Sequence, residues 1–256
     1  MPVILYSSQV IASNNIAKHL IETEFEEIGE GIYENKSGIR LYDTRVKSMI
    51  EIYSPVKTDY AIVLSPHSSA SKRPSLTTHV PGNWSIAEAG GNSFTLNIGY
   101  GSLMRSLLLK LDELNTVGYA VSYEADHHGP TVDYPMIFVE VGSSIEEWSN
   151  LKACSIVGDA VMDVLKGFER VENFVGIGGG HYAPKFTDIS LKEEKGFAHI
   201  LPKYHKDIKV EMLKQAVEKS VEEVKGFIID KKGLSGSKRK WFIKTLEELG
   251  FEYWVV

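Results

Sequence analysis

The sequence predicts an α/β fold, a three-layer α/β/α sandwich around a mixed, largely parallel sheet. Short apolar runs of strand length alternate with longer stretches whose apolar side chains recur every three or four residues, most clearly in the second half of the 256-residue chain. No internal repeat or low-complexity linker interrupts the alternation. We therefore predict one domain over residues 1–256, with room for a small subdomain of hairpin and loops around 30–90.

The first half opens with an apolar strand over 2–6 and an amphipathic helix over 8–23. The Asn-Lys-Ser-Gly sequence within 31–43 separates two short runs and is a hairpin signal. The remaining predicted elements of this half are strands over 48–54, 59–65 and 94–99 and a helix over 102–115.

In the second half, Ser144 and Glu147 have the spacing of a capping box, which predicts a long helix ending near Gly167. Strands over 135–143 and 172–178 flank this helix, so a β-α-β unit with parallel strands is expected. The other predicted elements are strands over 118–126, 197–201, 226–230 and 251–256 and helices over 209–224 and 237–249.

Composition narrows the classes of function. The net charge is −6, from 28 Lys and Arg against 34 Asp and Glu. Proteins that coat nucleic acid usually carry a basic excess, so the balance favours a small substrate or the end of a polynucleotide over DNA. No apolar run approaches the roughly 20 residues of a membrane span. A single cysteine, Cys154, indicates a reducing, cytoplasmic setting. Nothing marks a dimer interface, and a monomer is expected.

Candidate chemistry is concentrated in a few segments, because seven of the eight histidines fall in four of them. In an open α/β sheet, ligands bind beyond the carboxyl ends of strands, and we expect these segments there. They are 65–84 with His67, His79, Lys72 and Arg73; 123–130 with Glu124, Asp126, His127 and His128; 176–187 with His181; and 197–205 with His199.

Asp126, His127 and His128 form the densest cluster. Imidazole and carboxylate groups are standard zinc ligands, although no spacing here matches H-E-x-x-H or a cysteine-based zinc site. Adjacent histidines on a regular strand point to opposite faces, so joint binding of one ion requires a loop or a bulge. A general base with its orienting carboxylate and a purely structural polar turn are the alternatives.

The glycine run Gly178, Gly179 and Gly180 matches neither a dinucleotide-binding nor a Walker motif. Glycines at a strand end can direct backbone amides toward an oxyanion or a phosphate, with Lys185 as a nearby cation. A tight turn beside a surface lysine is the alternative. His199 lies in an apolar run and is interpreted as a hydrogen-bonded core residue. The basic segment 231–241 suits phosphate contacts, with a solvated loop as its alternative.

Three of these segments together resemble the archaeal and plant type of D-aminoacyl-tRNA deacylase. The residues that carry the resemblance are 65–84, 123–131 and above all GGGHYAPKFT at 178–187, and the similarity spans essentially the whole chain. It implies a phosphorylase/hydrolase-like α/β/α fold and a zinc-dependent hydrolase, with two ions per chain. The implied reaction cleaves the ester between a D-amino acid and the 3′ end of tRNA.

Under this resemblance we assign three sets of site residues. The predicted catalytic residues are His67, His128, His181 and Glu124. The predicted metal ligands are His79, Asp126 and His127. The predicted substrate-binding residues, which contact the ester, the terminal adenosine or the tRNA phosphates, are Gly178, Gly179, Gly180, Tyr182, Lys185, Lys72 and Arg73.

Two other classes of function are compatible with the residues. The related fold hosts metal-dependent peptidases and nucleoside phosphorylases, which would act on dipeptides or require a phosphate site. A non-enzymatic tRNA-binding module would bind tightly without turnover, with a strong dependence on salt. The net charge of −6 and the histidine cluster argue against the binding module.

Overall fold

Strands and helices alternate along the chain in the computed structural model, which describes residues 1–205 and 207–256. In chain order, the strands are β1 (Val3–Tyr6), β2 (Phe25–Gly29), β3 (Ile32–Asn35), β4 (Arg40–Asp43), β5 (Ala61–Ser68), β6 (Ser75–His79), β7 (Gly82–Asn83), β8 (Thr95–Leu96), β9 (Ala120–Tyr123), β10 (Met136–Ser143), β11 (Glu172–Ile177), β12 (Lys195–Leu201), β13 (Val224–Ile229) and β14 (Tyr253–Val255). The helices are α1 (Ile11–Thr23), α2 (Gly101–Leu114), α3 (Ile145–Trp148), α4 (Leu151–Leu165), α5 (Pro184–Lys192), α6 (Val210–Glu218) and α7 (Gly236–Leu249), with a 3₁₀ turn at Met49–Glu51.

The larger sheet has eight strands in the order β2-β3-β4-β1-β5-β10-β6-β9. Its pairs β4–β1, β1–β5, β5–β10 and β6–β9 are parallel, whereas β2–β3, β3–β4 and β10–β6 are antiparallel. A four-stranded, all-parallel sheet follows the order β12-β11-β13-β14. The predicted α/β class with a large, mostly parallel sheet is therefore confirmed, and the C-terminal strands form a sheet of their own.

One hydrophobic cluster contains the inner faces of α1, α2 and α4 together with residues of both sheets, including Ile62, Val139, Phe174 and Phe197. Helices α6 and α7 cover the opposite face of the smaller sheet, which completes an α/β/α arrangement around it. An irregular segment that includes Met49 and Ile52 covers the other face of the larger sheet. The prediction of one domain over 1–256 stays a prediction.

The helix predicted after Ser144 is interrupted. The capping box is present: the Ser144 hydroxyl accepts a hydrogen bond from the backbone amide of Glu147, and the Glu147 carboxylate accepts one from the backbone amide of Ser144. The helix it opens ends after one turn, at Trp148. Asn150 then accepts hydrogen bonds from the amides of Lys152 and Ala153 and starts α4 as a second helix. The sequence therefore located the first cap correctly but missed the second.

Two further predictions are wrong. Residues 48–54 form a 3₁₀ turn and irregular chain, because Met49 and Ile52 pack onto the open face of the larger sheet. Strand β10 occupies both of its edges by pairing with β5 and β6, so β11 cannot join it and lies in the smaller sheet. The predicted β-α-β unit is therefore not formed within one sheet.

The strand predicted over 94–99 shrinks to Thr95–Leu96, which pairs with Gly82–Asn83. The side chain of Asn97 ends it by bonding to the backbones of Pro130 and Val132. Within the described ranges, no helix is both long and apolar enough to cross a membrane.

Candidate active site

The polar site lies on one face of the larger sheet. The central strand here is β10, which lies between β5 and β6. Its Gly142 pairs with His67 of β5, and its Phe138 pairs with His79 of β6. Paired residues project from the same face of a sheet, and alternate residues of one strand share it. Glu140 therefore lies between the two histidines on this face. Gly142 leaves room for His67, because a Cβ at Gly142 would come within 2.6 Å of the Cβ of His67.

Loops that follow β9 and β11 bring further histidine and glutamate side chains to this face. The histidine–glutamate cluster, as we name it, consists of His67, His79, Glu124, His127, His128, Glu140 and His181. The backbone amide of Ala125 donates to the carbonyl of His181 at 2.7 Å, which joins the two loops. His128 has a φ of 47°, so the chain turns sharply and both adjacent histidine rings lie against His79. His127 and His128 therefore lie in a turn of the kind that two adjacent histidines need in order to face the same point.

Glu124 is at the centre of the cluster and is fully buried. Its Oε1 lies 2.9 Å from Nδ1 of His67, and its Oε2 lies 2.7 Å from Nε2 of His181. His127 Nε2 is 3.5 Å from the same Oε2. Despite these short distances, neither oxygen of Glu124 meets the geometry of a hydrogen bond within the described residues. Both ring nitrogens of the buried His79 are likewise without a hydrogen-bond partner there.

Three groups of these side chains have ligand atoms within 4.8 Å of one another, a spacing suited to a metal ion. The groups are His79, His127 and His128; His67, Glu124 and His181; and His79, Glu124 and Glu140. A buried polar atom without a partner is costly, and four such atoms in two neighbouring side chains require a physical explanation. Lone pairs that converge on a shared cation provide one.

The two buried carboxylates control the charge of the histidines beside them. Burial lowers the pKa of His67, but the adjacent Glu124 and Glu140 outweigh it and raise this pKa to about 11. The same balance raises the pKa of His79. Burial raises the pKa of Glu140, whereas His67 and His79 hold it at about 2. Without a metal ion, the two carboxylates therefore favour the protonated form of both rings.

His127 and His128 respond in the opposite direction. Burial and the charge of His79 lower the pKa of His128 to about 4, and they lower the pKa of His127 as well. Both rings are therefore neutral near pH 7. A neutral imidazole keeps a free lone pair, which is the form that binds a metal ion.

Asp126 stands apart from the cluster. Its Oδ1 accepts the amide of Ile200 at 2.8 Å, and its Oδ2 lies 2.8 Å from Nδ1 of His199. It belongs to none of the three groups with metal-ligand spacing among the described residues. His199, whose Nε2 is bonded to the carbonyl of Lys219, is the hydrogen-bonded core residue that the sequence predicts. Asp126 therefore anchors the loop that carries His127 and His128.

The glycine run differs from its prediction. The amides of Gly178 and Gly179 donate to the carbonyls of Leu201 and Gly233, so they are not available to a substrate. The amide of Gly180 has no backbone acceptor in the described part of the chain, and a Cβ at this position would meet nothing within 4 Å. Only the last of the three glycines therefore presents a free amide beside His181.

Tyr182 contacts the cluster directly, because its hydroxyl lies 2.9 Å from Nε2 of His67. Burial raises the pKa of Tyr182, but hydrogen bonds with Ser69, His67 and Ser71 lower it overall. Lys72 and Arg73 follow these serines in the exposed loop between β5 and β6. Lys185 lies in the first turn of α5. The three cations thus lie within a few residues, along the chain, of Tyr182 or of the serines that contact it.

A cavity of about 820 Å³, which we call the main cavity, opens onto the cluster. Its wall includes His67, His127, His128, Glu140 and Asp126 from the polar site. The rest of its lining includes Lys47, Ser85, Ile86, Glu88, Phe94, Tyr204, His205 and Asp207. The glycine run is not part of this wall in the described structure, so it borders the cluster from the side of His181.

Glu140 was missed in the sequence analysis. It lies in the strand MIFVEVGS, whose residues are all buried, and apolar periodicity alone marks that strand as core. The signal for Glu140 was a charged residue inside an apolar strand. A glutamate is almost never fully buried without a partner, so its place in such a strand points to a polar site. His67 and His79 also lie within strands β5 and β6, where the sequence predicted a loop over 65–84.

Comparison with known proteins identifies relatives over nearly the full length. A model of the D-aminoacyl-tRNA deacylase family matches residues 54–254. Proteins named D-aminoacyl-tRNA deacylase from Pyrococcus furiosus and Thermococcus kodakarensis are 41% and 39% identical, with 99% of each chain covered. That of Ignicoccus hospitalis is 35% identical over 87% of this chain and 91% of its own. A crystal structure described as a conserved protein of unknown function has a TM-score of 0.90 at 28% identity, covering 100% of this chain and 95% of its own.

Proposed function

This chain belongs to the D-aminoacyl-tRNA deacylase family, and we propose from that premise that it hydrolyses D-aminoacyl-tRNA at the histidine–glutamate cluster. The reaction cleaves the ester between a D-amino acid and the terminal ribose and releases free tRNA and the free amino acid. The observation that carries the site assignment is the convergence of His67 and His181 on Glu124, at 2.9 and 2.7 Å, without hydrogen-bond geometry.

The donor set fits zinc. Zinc binds imidazole nitrogen and carboxylate oxygen, and the unpartnered buried atoms of His79 and Glu124 are such donors. Two groups that share no residue would each hold one ion, which agrees with the two ions expected from the family resemblance. The residues are His79, His127 and His128 for one ion, and His67, Glu124 and His181 for the other. When bound, zinc would polarise the ester carbonyl and acidify water.

Other side chains would position the substrate around the cluster. The aminoacylated end enters the main cavity, whose volume of about 820 Å³ suits a nucleoside with its amino acid. With the ester carbonyl turned toward the His181 side of the cluster, the amide of Gly180, which has no backbone acceptor among the described residues, would donate to the oxygen that becomes negative when the carbonyl is attacked. The hydroxyl of Tyr182, at 2.9 Å from His67, would supply a proton to the departing ribose oxygen.

The remaining predicted residues would act farther from the ester. Lys72, Arg73 and Lys185 would meet phosphates of the tRNA end on the Tyr182 side. Asp126 is better explained as the anchor of the His127–His128 loop than as a ligand. A tRNA substrate is consistent with the expected cytoplasmic setting, and a monomer is the expected assembly. The family match does not favour the peptidase, phosphorylase or non-enzymatic alternatives.

A deacylation assay tests the proposal. We expect the wild-type protein to release D-tyrosine from D-tyrosyl-tRNA and to leave L-tyrosyl-tRNA intact. His128→Ala and His181→Ala should each lower kcat at least about 100-fold, since each removes a member of the cluster. His19→Ala is the matched control, because His19 forms only a surface pair with Asp159. Wild-type rates in both cluster variants would overturn the site assignment.

Chelation tests the metal separately. Removal of zinc should release close to two ions per chain, abolish activity and lower the melting temperature. Added zinc should restore the bound ions, the activity and the melting temperature. Activity that persists in fully chelated protein would overturn the metal assignment and would leave acid–base chemistry by the side chains alone.

A further inference from the structure

A second, smaller cavity adjoins the main cavity. This side cavity, of about 420 Å³, is lined by His205, Asp207, Ile208, Ser237, Lys238, Trp241 and Phe242. His205 and Asp207 also line the main cavity, so the two cavities meet at these residues. His205 is fixed at this junction by a 2.8 Å hydrogen bond between its Nδ1 and the hydroxyl of Ser85. A chain that leaves the main cavity past His205 would therefore meet the lining of the side cavity.

The side cavity has an exposed aromatic surface. Trp241 is 40% exposed and is supported from below by Phe242, with ring centroids 4.9 Å apart. Tyr204, at the junction, is 48% exposed and packs against His205. Aromatic rings that are held in place and left partly open provide stacking surfaces for nucleobases.

Basic residues precede Trp241 along the chain, and one of them, Lys238, lines the side cavity with it. The segment 231–241 contains five basic residues and no acidic one, although the whole chain has a net charge of −6. Lys231, Lys232 and Lys240 are exposed, and no carboxylate lies within 4 Å of them in the described part of the chain. The amine of Lys238 bonds to the carbonyls of Lys203 and His205, which ties the basic segment to the junction without neutralising its charge.

We propose that the side cavity binds the unpaired nucleotides that precede the terminal nucleoside of the tRNA strand. A base stacks on Trp241, and the phosphates on either side of it lie against Lys231, Lys232 and Lys240. Asp207 would repel a phosphate but can accept a hydrogen bond from the amino group of a base, so a base belongs at the junction. This inference rests on the proposed function, because it assumes that the ester lies in the main cavity.

Substrates of different length test the proposal. We compare kcat/KM for D-tyrosyl-adenosine and for the same ester on the 3′-terminal trinucleotide of tRNA. The wild type should prefer the trinucleotide. Trp241→Ala should lose about tenfold or more of kcat/KM on the trinucleotide while it hydrolyses D-tyrosyl-adenosine at the wild-type rate. Trp241→Phe should recover most of the preference, because it retains a stacking ring.

The matched control is Trp254→Ala, which removes an exposed tryptophan of β14 that lines neither cavity. It should leave both substrates unaffected. Equal losses on the two substrates in Trp241→Ala, or an intact preference for the trinucleotide, would overturn the proposal. If the wild type hydrolysed neither ester, the proposed function itself would fail, and the two failures are thus distinguishable.

Salt dependence tests the lysines. The double variant Lys231→Ala/Lys232→Ala should reduce the slope of log KM against log salt, on full-length D-tyrosyl-tRNA, by roughly one to two. The control is Lys18→Ala/Lys36→Ala, which removes two exposed lysines of the N-terminal half. An unchanged slope in the first variant, or an equal reduction in the second, would exclude the phosphate contacts.

Discussion

His67 Nδ1 and Glu124 Oε1 lie 2.9 Å apart, yet among the described residues the pair does not meet the geometry of a hydrogen bond. The residues come from different parts of the sheet, one within β5 and the other directly after β9. His181 approaches the second oxygen of Glu124 in the same way, at 2.7 Å. Imidazole nitrogens and carboxylate oxygens that lie this close without hydrogen-bond geometry have the arrangement of ligands around a cation.

Glu124→Gln should separate the charge of this carboxylate from its shape. The amide keeps the volume of the side chain but is a poor zinc ligand and cannot balance His67. We expect kcat on D-tyrosyl-tRNA to fall at least about 100-fold, together with the zinc content measured by mass spectrometry. Glu223→Gln is the control, since Glu223 is exposed and pairs only with Lys225. A variant with full zinc and full activity would contradict the central role of Glu124.

The zinc-free protein should be most stable near pH 6.5. The pKa of His67 is about 11 in the folded state, against 6.5 for the ordinary value that applies to the unfolded state. The stability that His67 contributes is therefore fully present below pH 6.5 and is lost as the pH rises toward 11. His128 has a folded pKa of about 4, so the unfolded state binds more protons between pH 4 and 6.5, and stability is lost as the pH falls through this range. Glu140, at about 2, loses its stabilisation below pH 4.5.

Urea denaturation of the chelated protein between pH 4 and 9 measures this profile. His67→Gln is the informative variant, because it should be less stable overall and should lack most of the decline above pH 6.5. A wild-type midpoint that rises steadily through pH 6.5 to 9 would contradict the assigned charge of His67.

The sequence predicted which histidines meet, but not the surface on which they meet. Strand-end loops were expected for His67 and His79, whereas both lie within strands and share a sheet face with Glu140. That face depends on the pairing of β10 with β5 on one side and β6 on the other. Such pairing is a long-range property that local periodicity does not reveal, and it also explains why Glu140 escaped detection.

Features that depend on residues close together in the sequence were more predictable. The capping box of Ser144 and Glu147 was identified from spacing alone and is present. The requirement for a loop at His127 and His128 followed from side-chain alternation, and the φ of 47° at His128 meets it. The glycine run could not be interpreted in the same way, because the partners of Gly178 and Gly179 lie on distant segments.

Asp126 and His199 should be strongly coupled. Both side chains are buried, and Asp126 also accepts the amide of Ile200, so either single substitution leaves a buried polar group without its partner. We expect Asp126→Ala or His199→Ala to cost about 3 kcal/mol, and the pair to show a coupling energy of about 1–3 kcal/mol in a double-mutant cycle by urea denaturation. The exposed pair His19–Asp159 is the control and should couple by less than about 1 kcal/mol. Equal coupling in the two pairs would contradict an anchoring role for Asp126.

Gly178 and Gly180 should respond differently to alanine. Gly178 has a φ of 115°, and a Cβ there would come within 3.2 Å of Asp230 and Leu234, so Gly178→Ala should lose about 1–3 kcal/mol of stability. Gly180 has open space around its Cα, and Gly180→Ala should melt like the wild type. Because the new methyl group stands beside the free amide next to His181, we expect kcat/KM on D-tyrosyl-tRNA to fall about tenfold or more. Unchanged kcat/KM in a fully folded Gly180→Ala would show that the glycine run is only a turn, and that the oxyanion is held elsewhere in the cluster.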